Sequence, residues 1–409
     1  MIKLFEGKID CCGCAACMNI CPKKAITMKT DSDGFDFPEI NNDLCIECGL
    51  CKKVCAFQNV SVPDTKPLAT YVAINKKKDV LINSASGGIF AALAFLVFEK
   101  NGVVFGCAYN DNMKPEHVCV DNSMDIKKIQ GSKYVQSNIN TSYSEVKKHL
   151  DNGRWVLFTG TPCQIAGLKS FLGKDYNNLI TADLICHGVP GTAFFEGYIK
   201  YLGEKLKGKV IDFKFRDKSK GWGLIRKRLY NGKVVYKKNN KILEKSVPTI
   251  TSYYYRYFLK GDIYRENCYE CKYACSGRVG DFTIGDYWGI EKAHPEIETK
   301  NGVSVLLVNS QKGIELIEEL KKYLDLTESS FELARKQNGQ LNRPTAKGNK
   351  REEILRTWRD GGYHAVAKEY YRVNKIAIWK SKIKMMLPLS VRKFLKGLIK
   401  RKNNVGRRY

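Results

Sequence analysis

Eight cysteines in two runs constrain this chain more than any other feature. Cys11, Cys14, Cys17 and Cys21 stand as C-x2-C-x2-C-x3-C followed by Pro22, and Cys45, Cys48, Cys51 and Cys55 repeat that spacing with Ala56 in the proline's place. Three thiolates this close in sequence can each hold one corner of a 4Fe-4S cube, while the fourth cysteine of a run reaches across to the other cube. The spacing therefore predicts one cluster on Cys11, Cys14, Cys17 and Cys55, and a second on Cys45, Cys48, Cys51 and Cys21. Zinc knuckles or a disulfide framework are the competing readings, but zinc ligands usually come as separated pairs rather than runs of four. Cys12 fits no ligand position and reads as a packed bystander.

Such a pattern is that of a bacterial two-cluster ferredoxin, a module of roughly 60 residues. The chain has 409 residues, so at least one sizeable domain follows. A hydrophobic content of 44% is ample for a packed core. No signal peptide precedes Cys11, and the longest apolar run, Ile89 to Phe98, is about half of what a membrane span needs. Sixteen cysteines then read as cytosolic metal and redox chemistry, and a cytoplasmic location is expected. The formal net charge of +27 is partly local: Arg372 to Tyr409 holds thirteen Lys or Arg and no acid.

Residues 1–60 form the cluster module, with a turn at Asp31 to Gly34, and residues 61–67 carry two prolines and read as a linker. Ser84-Ala-Ser-Gly-Gly88 then leads into an apolar helix that stops at Asn101-Gly102. A glycine-rich turn at a helix N-terminus offers backbone N–H groups to a phosphate, although a tight turn without a ligand reads equally well. Gly131 to Ser137 is a polar loop in which Lys133 can bring charge to a cofactor. Trp155 to Phe158 and Leu179 to Ile185 are apolar strands that run into Thr159-Gly-Thr-Pro-Cys163 and Cys186-His-Gly188. Strands alternating with helices predict an α/β sheet, whose ligands sit in loops beyond the strand carboxyl ends. Cys268, Cys271 and Cys275 do not close a four-ligand site alone, so Cys163 and Cys186 are candidate partners for a third 4Fe-4S cluster. Zinc or plain thiols are the alternatives. His187 is a candidate proton donor, and Arg216 and Arg278 are candidate cations for a reduced cofactor unless they are solvated surface residues.

Ser86-Gly-Gly88, Gly131-Ser-Lys-Tyr134, Thr159-Gly-Thr-Pro-Cys-Gln164, Cys186-His-Gly188, Cys268 with Cys271, and Gly285-Asp-Tyr-Trp-Gly289 come in this order behind the ferredoxin module. Together they resemble the family of beta subunits of the coenzyme F-420 hydrogenases and dehydrogenases, to about residue 325. The resemblance implies an iron-sulfur flavoprotein oxidoreductase with FAD in the α/β domain. Ser86, Gly87 and Gly88 would meet the FAD phosphates, Ser132, Lys133 and Tyr134 would line the flavin or substrate, and Asp286 joins the cofactor-binding set. Lys133 and His187 are the candidate catalytic residues, and Cys163, Cys186, Cys268 and Cys271 would hold the cluster nearest the flavin, with Cys275 competing for a place.

The expected fold is α+β: a ferredoxin-like module, a mixed-sheet flavin-binding domain over 68–325 in two parts (68–150 and 151–325), and a basic helical tail over 326–409. Members of this form are associated with bacterial surface polysaccharide genes, which implies a small-molecule or sugar-linked substrate. An electron donor or acceptor protein is expected as partner, and an electron-transfer subunit that feeds a partner enzyme is the alternative function. In the tail, Ile376, Trp379, Ile383 and Phe394 are interleaved with lysines and arginines, and Pro388 divides the run into two amphipathic segments. Such a tail suits an anionic membrane surface, on the inner face. A helix packed on the enzyme competes with that reading. Nucleic acid is not expected, because the α/β part shows no recognised binding motif.

Overall fold

The computed structural model describes residues 2–219, 221–222 and 231–386. Its first strands, β1 (Ile26–Thr30) and β2 (Asp36–Ile40), form a hairpin. The Asp31 carboxylate accepts the N–H groups of Asp33 and Phe35, and Gly34 takes a φ of +87°, which closes the turn between them. Then follow β3 (Ala69–Asn75), β4 (Val103–Tyr109), β5 (Pro115–Val120), β6 (Val156–Gly160), β7 (Leu179–Leu184), β8 (Lys209–Lys214), β9 (Asn231–Lys238), β10 (Lys241–Pro248), β11 (Phe282–Asp286), β12 (Ser304–Val308) and β13 (Leu324–Ser329).

Eight of these strands make one mixed sheet in the order β13-β3-β12-β11-β7-β6-β4-β5. Its centre is parallel, since β4 pairs with β6, β6 with β7 and β7 with β11 in that sense. Strands buried on both faces should be apolar throughout rather than alternating. That is how β4 and β6 read: Val104 and Leu157 pack into one core with the helix Ile89–Glu99, while Phe105 and Phe158 enter the core beneath the helix Pro162–Leu172. This helix starts on a capping box, in which Gln164 Oε1 accepts the Thr161 N–H at 3.1 Å, and it ends on left-handed Gly173. The ferredoxin module packs against the same helix, because Cys14, Ala16, Val54 and Phe57 share a core with Ile165 and Leu168.

A second, three-stranded sheet, β10-β9-β8, packs with the helices Thr192–Leu206 and Tyr253–Leu259 through an aromatic core. The expected tail differs from the structure in two ways. The sheet continues through β13, so residues 326–329 belong to it rather than to the tail. The helix Arg351–Met386, kinked at Gly361 and Gly362, buries Ile354, Tyr363, Val366, Tyr370 and Ile378 in the aromatic core. Apolar spacing within one segment could not reveal that partner, which lies more than a hundred residues earlier. Pro388, Phe394 and the second amphipathic segment lie outside the described residues.

Candidate functional site

The parallel strands β4, β6, β7 and β11 send their carboxyl ends to one edge of the sheet, where a cavity of about 460 Å³ opens. Most of the residues singled out from sequence converge there: Ser86, Gly88, Ser132, Lys133, Tyr134, Cys186, His187, Arg216 and Asp286 all line it. Gly87 lies behind the wall. Its N–H donates to Ser304 Oγ at 2.8 Å, and a side chain there would meet the Ala73 carbonyl. Ser86 donates to Val303 O at 2.7 Å. Gly88 takes a φ of +84° just before the helix Ile89–Glu99, with an added Cβ placed 2.8 Å from Asn75 Cβ, so the turn needs glycine.

Arg216 is fixed at the cavity wall. Its guanidinium pairs with Asp286 at 2.6 Å and donates to the Tyr134 hydroxyl at 3.1 Å, while the Tyr134 ring stacks on Phe258. Lys133 Nζ is turned to its own loop, donating to Lys128 O and Gln130 O at 3.1 Å each, and burial lowers its pKa. His187 stands at the cavity mouth. The protein around it pulls its pKa down, with Asp286 opposing and Arg216 reinforcing that effect. Its neighbour Gly188 takes a φ of +125°, and a side chain there would strike the Tyr264 ring at 2.4 Å.

Three wall residues were missed by the sequence reading. His117 is fully enclosed and stacks on Phe158 at 5.0 Å, and burial holds its pKa at about 4. Its Nε2 donates to Thr159 O at 2.9 Å and its Nδ1 accepts from Ser137 Oγ at 3.0 Å, which fixes a neutral tautomer. Cys107 lines the cavity from β4. Asn338 Oδ1 is a buried acceptor with no hydrogen-bond partner among the described residues. A histidine inside an apolar strand pair and an asparagine far down the chain carry no local signal of this kind.

The cysteines gather into three groups. Cys11, Cys14, Cys17 and Cys55 lie near enough to feel one another's charge. Cys21, Cys45, Cys48 and Cys51 line a small hollow at the module surface. Cys163, Cys186, Cys268 and Cys271 interact in the same way beside the cavity, and burial pushes Cys186 up to about 12 and Cys271 up to about 11. Cys275 stands apart, with its Sγ near the carbonyls of Lys272 and Gly277. Among the described residues no three His, Cys, Asp or Glu side chains close on one point as a single metal ion requires. A four-iron cube instead takes one thiolate at each separate corner. Cys12 is packed in the core beside Cys14 and Cys163. One expectation is corrected. Arg278 is neither solvated nor at the cavity: it is buried against Asp183 at 2.6 Å.

Fold and cysteine groups together define an iron-sulfur protein built on a mixed α/β sheet. Residues 10–59 match the 4Fe-4S dicluster domain, and residues 153–332 match the family described as the C terminus of the coenzyme F420 hydrogenase/dehydrogenase beta subunit. The chain thus carries the C-terminal domain of these beta subunits behind a 4Fe-4S dicluster module. It is similar to a subunit of the F(420)H(2) dehydrogenase of Methanosarcina mazei, 21% identical over 81% of this chain and 90% of that one. A chain of the F420-reducing NiFe hydrogenase complex from Methanosarcina barkeri, solved as a xenon derivative, is 16% identical over 77% of this chain and 92% of its own, with a TM-score of 0.40.

Proposed function

We propose that the chain is an iron-sulfur flavoprotein oxidoreductase, with FAD in the cavity at the sheet edge and a third 4Fe-4S cluster on Cys163, Cys186, Cys268 and Cys271. One observation carries this reading: Cys186 belongs both to the third cysteine group and to the cavity wall. Clusters handle one electron at a time and most organic substrates need two, and bound FAD supplies the conversion.

The residues present fit such a ligand. Gly88 and the first turn of the helix Ile89–Glu99 offer backbone N–H groups and the positive end of the helix dipole to a diphosphate. Gly87 shapes this turn, its own N–H being committed to Ser304. Asn338 Oδ1 supplies an acceptor for a ring or sugar donor. Arg216, oriented by Asp286 and Tyr134, holds positive charge at the wall, and His187 carries a proton at the mouth.

The curated relative is named as part of a dehydrogenase, which supports an electron donor or acceptor protein as partner for this chain. A subunit that only delivers electrons is the second reading, favoured by the exposed Cys48, which puts the second cluster at the surface. For the substrate we propose a small or sugar-linked organic molecule, supported by the family resemblance. The helix Arg351–Met386 leaves Val373, Ile376, Trp379 and Ile383 exposed among lysines, which supports contact with an anionic membrane surface. No helix among the described residues is long and apolar enough to cross one.

Iron, sulfide and released flavin measured on one anaerobic preparation test the proposal. About twelve irons with one FAD are expected. About eight irons without flavin would overturn it in favour of a relay.

A further inference from the structure

Arg265 is fully buried at 0% exposure, at the junction of the ferredoxin module and the sheet domain. Its Nε donates to Cys11 O at 2.8 Å, its Nη1 donates to Asp36 O at 2.8 Å and to Gln136 Oε1 at 3.2 Å, and its Nη2 lies 3.7 Å from Cys11 Sγ. The guanidinium plane covers the Phe37 ring at 3.9 Å. Among the described residues no carboxylate pairs with it; that of Asp36 accepts the hydroxyls of Thr30 and Thr192 instead. A buried guanidinium surrounded by neutral acceptors is costly unless negative charge lies close by. Of these contacts, the one that can carry such charge is the Cys11 sulfur. A cube held by four thiolates is anionic when oxidised and gains one more negative charge on reduction.

We infer that Arg265 is the counter-ion of the inner cluster, on Cys11, Cys14, Cys17 and Cys55, and that it keeps this cluster reducible, so that an electron shared between the two ferredoxin clusters rests on the inner one. The inference rests on the 4Fe-4S reading of the two cysteine runs. In the transfer, one electron delivered by a one-electron donor protein leaves the reduced outer cluster and enters the oxidised inner cluster, and no bond or proton changes place. The inner site then holds the electron beside Cys163, where the Arg265 charge is also felt.

Burial works against this order. Removing the inner cluster from water disfavours its extra negative charge, whereas the outer cluster, with Cys48 exposed, keeps its hydration. Lys23, Lys52 and Lys53 near the outer run are exposed, so solvent and salt screen them. The buried guanidinium is not screened. A unit charge roughly 6 Å from the centre of a cube, at an effective dielectric constant of about 20, shifts a one-electron equilibrium by about 100-fold. At 59 mV per tenfold that is about 120 mV.

Redox titration of the full chain followed by EPR, with iron counted on every sample, tests this. The outer cluster is identified by its loss in Cys48→Ala. In the wild type the inner cluster is expected to be reduced first. Arg265→Gln should lower the inner potential by about 100-fold in equilibrium constant and leave the outer one in place, while Arg265→Lys should keep most of the wild-type value. An unmoved inner potential in Arg265→Gln, or an equal fall in Arg265→Lys, overturns the inference. If Arg265→Gln does not assemble, the wild-type titration decides, and reduction of the outer cluster first overturns it. A wild type without iron would instead sink the cluster reading itself, whatever Arg265 does.

Discussion

Replacing Asp183 with asparagine should destabilise the protein by about 3–5 kcal/mol, the usual cost of breaking one half of a buried ion pair. Asp183 and Arg278 have side-chain exposures of 0% and 2%, and their contact is 2.6 Å. The carboxylate also accepts from Gly280 N at 2.9 Å and Thr283 Oγ1 at 2.7 Å. Asparagine removes the charge and turns an N–H2 group toward one of these donors. Arg278, which further donates to Tyr273 O and Leu184 O, is then buried without a counter-charge. The pair joins the end of β7, just before Cys186, to the segment just after Cys271. Its loss should therefore also lower iron by about four per chain. Chemical denaturation and iron analysis on Asp183→Asn measure both effects. A double variant, Asp183→Asn with Arg278→Met, should recover part of the stability because the unpaired cation is gone. A loss under about 1 kcal/mol with iron unchanged would refute the reasoning.

Arg216→Met should weaken flavin binding by about 10–100-fold, the worth of a charge-assisted contact, with iron content unchanged in the same preparation. Gly88→Ala forces a residue with a Cβ into a φ of +84° and should cost about 1–3 kcal/mol, read as a lower unfolding midpoint together with lower flavin occupancy. Burial, reinforced by Arg216 and opposed by Asp286, holds the Lys218 amine at about 7 rather than the ordinary 10.5. The folded state thus binds fewer protons than the unfolded chain between these values, so the cost of burying Lys218 is full below about pH 7 and fades as pH rises. Wild-type stability relative to Lys218→Met should climb through that window, by at most about 1.4 kcal/mol per pH unit, and a flat difference would count against it. Full-length protein should sediment with anionic vesicles at low salt, and Trp379→Glu combined with Ile376→Glu should weaken this at least about tenfold. No sedimentation of the wild type would end the membrane reading.

Much of the site was legible because its chemistry is local in sequence. Cysteine spacing is dictated by the size of a cube, so the two runs announce their own partners. The glycine turn before Ile89 and the loops that follow the apolar strands at Thr159 and Cys186 are likewise short-range patterns, and the structure brings them to one edge of the sheet. His117, Cys107 and Asn338 carry no such pattern. Each reaches the cavity only through strand pairing or packing that joins distant segments.

Sequence alone determined the ferredoxin module, the α/β character of the sheet and the candidate residue types, since thiolate spacing, backbone turns and hydrophobic period act over a few residues. Only the tertiary structure decided that Cys275 stands apart from the third cysteine group, that Cys12 packs beside Cys14 and Cys163, that Arg278 is spent on Asp183, and that Arg265 is sealed against Cys11 without a carboxylate. Each of these depends on burial and on charges brought together across many residues, and no stretch of sequence specifies its own dielectric surroundings.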